Sequence, residues 1–85
     1  MEKKFINFEN ALIAFQAVQM ILALNGEHVN GSVKKNRRYL LLDVYRSTSD
    51  EVILPDGYIY SSKDTLDLGE ELKETRYLTT FRFYF

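Results

Sequence analysis

The chain contains no cysteine and a single histidine among its 85 residues. Without cysteine it can form no disulfide bond, thiolate metal site or cysteine nucleophile, so packing or assembly must stabilise the fold. His28 lies in a polar segment between two glycines, with no second histidine to join it in a metal site or a catalytic group. We therefore expect no metal and no cofactor.

Other patterns that mark catalytic or ligand sites are also missing. The four glycines are scattered, and none of them begins the Gly-Lys-Ser/Thr end of a phosphate-binding loop. Acidic residues cluster between Asp64 and Glu74, but Leu66 and Leu68 stand where a calcium loop needs oxygen ligands. We interpret these acids as helix-dipole partners and solvated surface. The sequence predicts that the protein is not an enzyme.

Neither sign of charge dominates the chain. Eleven basic and 12 acidic residues leave a net charge of −1, which gives no overall attraction to nucleic acid or to anionic lipid. Hydrophobic residues make up 46% of the chain and charged residues 27%, as in an ordinary globular domain. The length allows one domain, 1–85.

The stretch from Asn7 to Leu24 is apolar around most of a helical wheel. Its polar residues Glu9, Gln16 and Gln19 occupy one narrow wedge, so the apolar arc is wider than the roughly 100° of a surface helix. The helix is then either nested in a curved sheet and covered by loops, or shared between its own sheet and a second molecule. The second interpretation predicts a homodimer, with an oligomer interface on three helix residues: Phe15, Val18 and Leu22.

The same stretch could be mistaken for a secretory signal because Lys3 and Lys4 precede it. Polar residues interrupt its start, however, and Ala23-Leu24-Asn25-Gly26 is a poor cleavage site. A membrane span needs about 20 apolar residues, and glutamines break this stretch. We therefore expect no membrane insertion and a cytoplasmic location.

Strand patterns dominate the rest of the chain. Asn7 can cap the helix and Asn25-Gly26 can end it, while the polar segment from Glu27 to Asn36 is predicted to be an exposed connection. Arg38 to Arg46 alternates as a strand. Glu51 to Leu54 and Tyr58 to Ser61 are predicted strands on either side of a turn at Pro55-Asp56-Gly57.

The segment from Ser62 to Thr75 is predicted to contain a short helix, capped by Asp64. The stretch from Arg76 to Phe85 alternates cleanly and is predicted to be the last strand, either inside the sheet or at an oligomer seam. The predicted fold is α+β: a long N-terminal helix packed on one face of an antiparallel sheet of about four strands, with a short helix before the last strand.

A tyrosine-rich and arginine-rich face follows from this arrangement. If the phenylalanines of the last strand join Leu40, Leu42 and Val44 under the helix, the opposite sheet face is either a solvated surface or a partner-binding surface. The candidate partner-binding residues are Tyr39, Leu41, Tyr45, Arg76, Leu78, Arg82 and Tyr84.

A basic cluster precedes the first predicted strand and is followed by Tyr39. Phosphate contacts beside an aromatic ring are a common way of holding single-stranded nucleic acid. A solvated loop and an acid-rich protein partner are the competing interpretations. The candidate nucleic-acid contacts are Lys34, Lys35, Arg37 and Arg38.

These observations favour a non-catalytic protein-binding module that acts by occluding a surface. In size and composition the chain is compatible with small inhibitors, immunity proteins and phage-borne accessory proteins, which is an analogy and not a motif match. Two alternatives are a nucleic-acid-binding regulatory protein, and a self-assembling structural subunit whose last strand pairs edge to edge with copies of itself.

Overall fold

One helix crosses one face of a four-stranded antiparallel sheet in the computed structural model, which describes residues 4–55, 62–69 and 75–85. The sheet order is β1-β2-β4-β3, and a 3₁₀ turn, Lys35–Arg37, joins the first two strands. This arrangement confirms the predicted α+β class. The elements are α1 (Phe8–Leu24), β1 (His28–Lys34), β2 (Tyr39–Arg46), β3 (Ser62–Asp67) and β4 (Tyr77–Tyr84).

Both ends of α1 are set by the residues that the sequence indicates. The side-chain oxygen of Asn7 accepts a hydrogen bond of 2.9 Å from the Asn10 amide, which otherwise has no partner in the first turn. Asn25 caps the other end, and Gly26 follows in the left-handed region at φ +88°. Because glycine adopts this conformation without a Cβ clash, the chain can turn directly into β1.

The core lies between α1 and the face of β2 and β4 that it covers. The ring of Phe15 meets the ring of Phe83 edge-on at 5.8 Å, which joins the helix to the centre of the sheet. The phenylalanine row of β4 thus meets the aliphatic row of β2 under the helix, an arrangement that the sequence left open. The fully buried side chains of the two strands are Leu40, Leu42, Val44, Phe81 and Phe83.

The oligomer interface predicted on the helix is wrong in its position. Phe15, Val18 and Leu22 are only 6%, 0% and 4% exposed, because the sheet of the same chain packs on them. The helix instead exposes Ile13 and Met20, on the side away from the sheet. A wide apolar arc does not reveal which part of it meets the sheet, and that is why the sequence misplaced the buried stripe.

The predicted connection at residues 27–36 is also wrong over most of its length, because His28–Lys34 forms β1. Gly31 is part of the reason: a Cβ atom at this position would collide with the ring of Phe15. Glycine therefore lets the strand approach the helix closely and does not mark a turn. Val29 and Val33 share the helix side of β1 with Gly31.

The strand predicted at residues 51–54 is absent, and this segment covers the core in an irregular conformation. Val52 is 5% exposed, and Leu54 packs against the same cluster. The ammonium group of Lys63 on β3 donates to the carboxylate of Glu51 at 2.5 Å. Val52 and Leu54 point into the core while Ile53 between them is exposed, although the backbone pairs with no described strand. This alternation of buried and exposed residues is why the sequence pattern resembles that of a strand.

The start of the predicted short helix is wrong, because Ser62–Asp67 forms β3. Asp64 does not cap a helix, and its carboxylate instead accepts a hydrogen bond of 2.9 Å from Arg82 on β4. The rest of that prediction, at 70–74, lies outside the described residues. The predicted strand at 58–61 and the last two residues of the predicted turn before it lie outside them as well.

The final strand lies inside the sheet. β4 pairs with β2 on one side and with β3 on the other, and both pairings are antiparallel. Its backbone edges are therefore occupied within one chain. Edge-to-edge assembly through the last strand, the mechanism predicted for a structural subunit, is excluded by this position.

Candidate functional site

The sheet has a face that points away from α1, here called the open face. Its side chains come from alternate residues of the four strands, and the strand register arranges them in rows across the sheet. No described element packs over this face. The rows are Lys34, Tyr39 and Tyr84; Ser32, Leu41, Arg82 and Ser62; Asn30, Asp43, Thr80 and Asp64; and His28, Tyr45, Leu78 and Leu66.

Six of the seven predicted partner-binding residues lie together on the open face. They form three pairs across β2 and β4, and each side chain of the six is half-buried. The three pairs are Tyr39 with Tyr84, Leu41 with Arg82, and Tyr45 with Leu78. Arg76 precedes β4 and is exposed at the margin of the sheet, where its amide donates to the Arg46 carbonyl at 3.2 Å.

One end of the open face is a cluster of two tyrosines and an arginine. The rings of Tyr39 and Tyr84 meet edge-on at 5.2 Å, and the guanidinium carbon of Arg82 lies 5.8 Å from the Tyr39 ring centroid. Arg82 also donates to Asp64 across the β3–β4 pair at 2.9 Å. The guanidinium is thus held by a ring on one side and by a carboxylate on the other.

These contacts also change the acidity of the cluster. Desolvation raises the pKa of the Tyr39 hydroxyl, but the hydrogen bonds and positive charges of Arg82 and Arg37 lower that pKa by a larger combined amount. For Arg82, desolvation lowers the pKa, while hydrogen bonds to Asp64 and Tyr39 raise it to a value above its ordinary one. The cluster thus places a guanidinium that is paired with a carboxylate beside two aromatic rings.

A carboxylate lies near the centre of the open face. Asp43 stands between Asn30 on β1 and Thr80 on β4. Burial raises its pKa, and the nearby charges of Arg82 and Lys34 only partly oppose this effect. Among the described residues none donates a hydrogen bond to this carboxylate, so it is an acceptor that a bound molecule could use.

The other end of the open face is more apolar. The ring of His28 meets the ring of Tyr45 edge-on at 5.8 Å. Beside Tyr45 lies Leu78, and beyond it Leu66 on β3 is 59% exposed. The open face therefore changes along the strands from aromatic and basic, through a central carboxylate, to aromatic and aliphatic.

The predicted basic cluster occupies the turn between β1 and β2, and all four of its cations are exposed. Two of these cations lie over phenylalanine rings that belong to the hydrophobic core or pack against it. The ammonium of Lys35 lies 5.0 Å from the centre of the Phe8 ring, and the guanidinium carbon of Arg38 lies 5.2 Å from that of Phe85. The remaining two, Lys34 and Arg37, flank the tyrosine end of the open face.

Sequence reasoning missed the contribution of β1 and β3 to this face. The sequence predicts a connection at His28, Asn30 and Ser32 and a helix at Leu66. It therefore does not indicate that these residues share a sheet face with Tyr45 and Leu41. The alternation of Val29, Gly31 and Val33 with polar residues was the available signal for β1. The glycine in the middle hid it.

Across residues 4–55, 62–69 and 75–85, no group of three or more histidine, cysteine, aspartate or glutamate side chains is arranged to hold a metal ion. In that same part of the protein, no helix is both long enough and apolar enough to cross a bilayer.

Comparison with known protein families, with curated proteins and with solved structures finds no match to this chain.

Proposed function

We propose that this chain is a non-catalytic protein-binding module, located in the cytoplasm, that occludes the surface of its partner with the open face of its sheet. One observation carries the proposal. Three side-by-side pairs of large residues, Tyr39 with Tyr84, Leu41 with Arg82 and Tyr45 with Leu78, form a half-buried patch that no described element covers.

The composition of the patch supports binding rather than a solvated surface. Tyrosine and arginine are enriched among the residues that dominate binding energy, because each combines a large contact area with directional hydrogen bonds. A solvated sheet face normally carries small or charged side chains, and here aliphatic Leu41 shares its strand face with Tyr39 while Leu78 pairs with Tyr45.

Preorganisation is a second argument. Arg82 is already fixed between Asp64 and the ring of Tyr39, so a partner would not have to immobilise it. Ordering a long side chain on binding costs about 0.5–1.5 kcal/mol, and this cost is absent when the side chain is held in the unbound protein. β2 and β4 lie in the middle of the sheet and keep the backbone of all three pairs in register.

The charges around the patch indicate the chemistry of the partner. Lys34, Arg37 and Arg82 surround the tyrosine end, and Asp43 offers an acceptor in the centre. A complementary protein surface would carry acidic groups opposite the tyrosine end, a hydrogen-bond donor opposite Asp43, and an apolar patch opposite Tyr45 and Leu78.

Nucleic acid is the second candidate ligand, because Lys34 and Arg37 lie beside two aromatic rings. Single-stranded nucleic acid uses such a combination of phosphate contacts and base stacking. The engagement of Lys35 and Arg38 with Phe8 and Phe85 makes this candidate weaker than the sequence alone indicated, since half of the cluster has a structural role.

The test is affinity capture from cell extract with three baits, followed by titration of the purified partner. The baits are the wild type, the open-face variant Tyr45→Ala with Arg82→Ala, and a control variant, Ile13→Gln with Leu24→Gln, on the exposed side of α1. We expect to capture a protein that binds the wild type and the control equally. It should bind the open-face variant at least 100-fold more weakly, the loss for two residues worth about 1.4 kcal/mol each.

A partner that binds the open-face variant as tightly as the wild type would contradict the proposal. Circular dichroism and thermal unfolding of each bait establish that the substitutions leave the fold intact. Nucleic acid is tested separately with a labelled single strand at low salt, where electrostatic binding is strongest and falls steeply as salt is added. Binding to this strand that is lost in the open-face variant, without any captured protein, would favour the second candidate.

A further inference from the structure

The sheet has two edge strands, and they differ in how their outer edges are protected. β1 pairs with β2 on one side, and no described residue hydrogen-bonds to its other edge. β3 carries three charged residues, Lys63, Asp64 and Asp67, which discourage the addition of a further strand. In β1 the five residues 29–33 carry no charge and no proline. Its outer edge is therefore open to another strand.

The hydrogen bonds of the sheet determine which groups of β1 point outward. The Phe85 amide donates to the Arg38 carbonyl at 3.1 Å, one residue beyond the β2–β4 ladder. Bonds in an antiparallel pair alternate, so the even-numbered residues of β2 bond to β4 and the odd-numbered ones bond to β1. The backbone groups of Val29, Gly31 and Val33 must then point away from β2.

A second bond agrees with this assignment. The Phe5 amide donates to the Tyr84 carbonyl at 2.8 Å, which shows that the backbone of Tyr84 points away from β2. Tyr84 is paired with Tyr39, an odd-numbered residue of β2, as the alternation requires. Val29, Gly31 and Val33 thus present three outward amides and three outward carbonyls along one edge.

We propose that β1 pairs with β1 of a second copy of this chain, antiparallel and centred on Gly31, to form a continuous eight-stranded sheet. In this register, Gly31 lies opposite its own counterpart, and Val29 lies opposite Val33 of the second copy. All the outward backbone groups then meet each other in hydrogen-bonded pairs. The inference does not depend on the proposed function of the open face.

A second copy fits this edge for a reason specific to its sequence. Val29 and Val33 stand at equal distances on either side of Gly31, so the two-fold axis brings valine against valine on the helix side of both sheets. Val33 is 51% exposed in the single chain and would be covered by this contact. Asn30 lies opposite Ser32 of the second copy on the open face, and no two like charges meet at positions 29–33.

Pairing through β1 also places the two open faces side by side on one surface, because antiparallel neighbours keep their side chains in phase. The helices of both copies then lie on the opposite side. The predicted homodimer is thereby kept, and its interface moves from the buried helix stripe to an edge strand.

The first test is the solution mass by light scattering across a dilution series, for the wild type and for Val33→Pro. Proline removes an outward amide from each copy and leaves the β1–β2 bonds in place, which is the position that proline tolerates in an edge strand. We expect the wild type to be dimeric. The dimer dissociation constant of Val33→Pro should be at least tenfold higher than that of the wild type. The matched control, Ile13→Gln with Met20→Gln, changes the exposed helix side and should dimerise like the wild type.

The second test fixes the register. The chain has no cysteine, so Asn30→Cys and Ser32→Cys can be introduced singly and mixed. These positions face each other in a non-hydrogen-bonded pair, where Cα atoms lie about 4.5 Å apart, within the range of a disulfide. We expect rapid cross-linking in the mixture and slow cross-linking of either variant alone.

A wild type that is monomeric at every concentration would overturn the inference. So would a dimer whose dissociation is unchanged by Val33→Pro, or one that the helix-side control disrupts, because either result would place the interface elsewhere. A mixture that cross-links no faster than the single variants would refute the register centred on Gly31.

Discussion

The two faces of β2 and β4 are built from alternate residues of the same segments, and they differ sharply. On the helix side, Leu42 and Phe81 are completely buried, while their neighbours Leu41 and Arg82 on the open face are half-buried. Hydrophobic side chains thus occur on both faces, but among the elements that the structure describes only α1 covers a face of the sheet. Residue type alone therefore does not identify the core, because the packing of α1 decides which face is buried.

The largest test of this contrast compares two adjacent aromatic residues of β4. Phe83 is fully buried against Phe15 and Phe5, so Phe83→Ala should lower the free energy of unfolding by about 3–5 kcal/mol. Tyr84 faces outward and contacts the ring of Tyr39, so Tyr84→Ala should cost only about 1 kcal/mol. Urea unfolding followed by circular dichroism measures both values. Equal losses would mean that the open face is as essential to folding as the core.

A smaller effect is expected from placing a single alanine on either face of β1. In Gly31→Ala the new Cβ would collide with the Phe15 ring, so the helix or the strand must shift, at a cost of about 1–3 kcal/mol. Asn30→Ala, one residue away, changes an exposed side chain on the open face and should alter stability by about 0.5 kcal/mol or less. Thermal unfolding of the two variants tests this. A Gly31→Ala protein as stable as the wild type would show that the close approach of the helix is not required.

The smallest effect concerns the pH dependence of two carboxylates. Burial raises the pKa of Asp43 on the open face, because the ionised carboxylate is less well solvated in the folded protein. Ionised Asp43 therefore opposes folding, and Asp43 contributes most to stability at a pH below its ordinary pKa of 3.8. Asp43→Asn should therefore be more stable than the wild type at pH 7, and this advantage should shrink as the pH falls and Asp43 becomes protonated. Unfolding midpoints measured between pH 3 and pH 7 provide the comparison.

Glu51 is the matched carboxylate with the opposite sign. The hydrogen bond and charge of Lys63 lower the pKa of Glu51, so the stabilisation is present above its ordinary value of 4.5 and is lost as the pH falls through the lowered pKa. Glu51→Gln should be less stable than the wild type at pH 7 and equal to it in strong acid. If both variants changed stability in the same direction at pH 7, the assignment of Asp43 as a desolvated group would be wrong.

The elements predicted correctly are those with strong local signals. α1 has a capping asparagine at one end and Asn25-Gly26 at the other, and β2 and β4 alternate over eight residues each. β1 and β3 were missed because their signals depend on tertiary contacts. Taken alone, Gly31 indicates a turn, but in the fold its missing side chain makes room for the Phe15 ring. Taken alone, Asp64 indicates a helix cap, but in the fold its carboxylate bonds to Arg82.

The candidate site was predictable in part for the same reason. Alternation along β2 and β4 predicted which of their residues share a face, and the register then paired Tyr39 with Tyr84 and Tyr45 with Leu78. The sequence did not indicate which face the helix covers, because β2 is apolar on both sides. It also gave no indication that Lys35 and Arg38 lie over aromatic rings, since Phe8 and Phe85 are far from them along the chain.

The position of β4 between β2 and β3 has a consequence for the order of folding. α1, β1 and β2 are consecutive and joined by short turns, so their contacts close quickly, whereas β4 must return across residues 47–76 before it can pair with β2. Until it does, β2 has one unpaired edge and a half-covered apolar row. Refolding at high concentration should therefore lose protein to aggregation at this stage, through the edge that β4 later occupies.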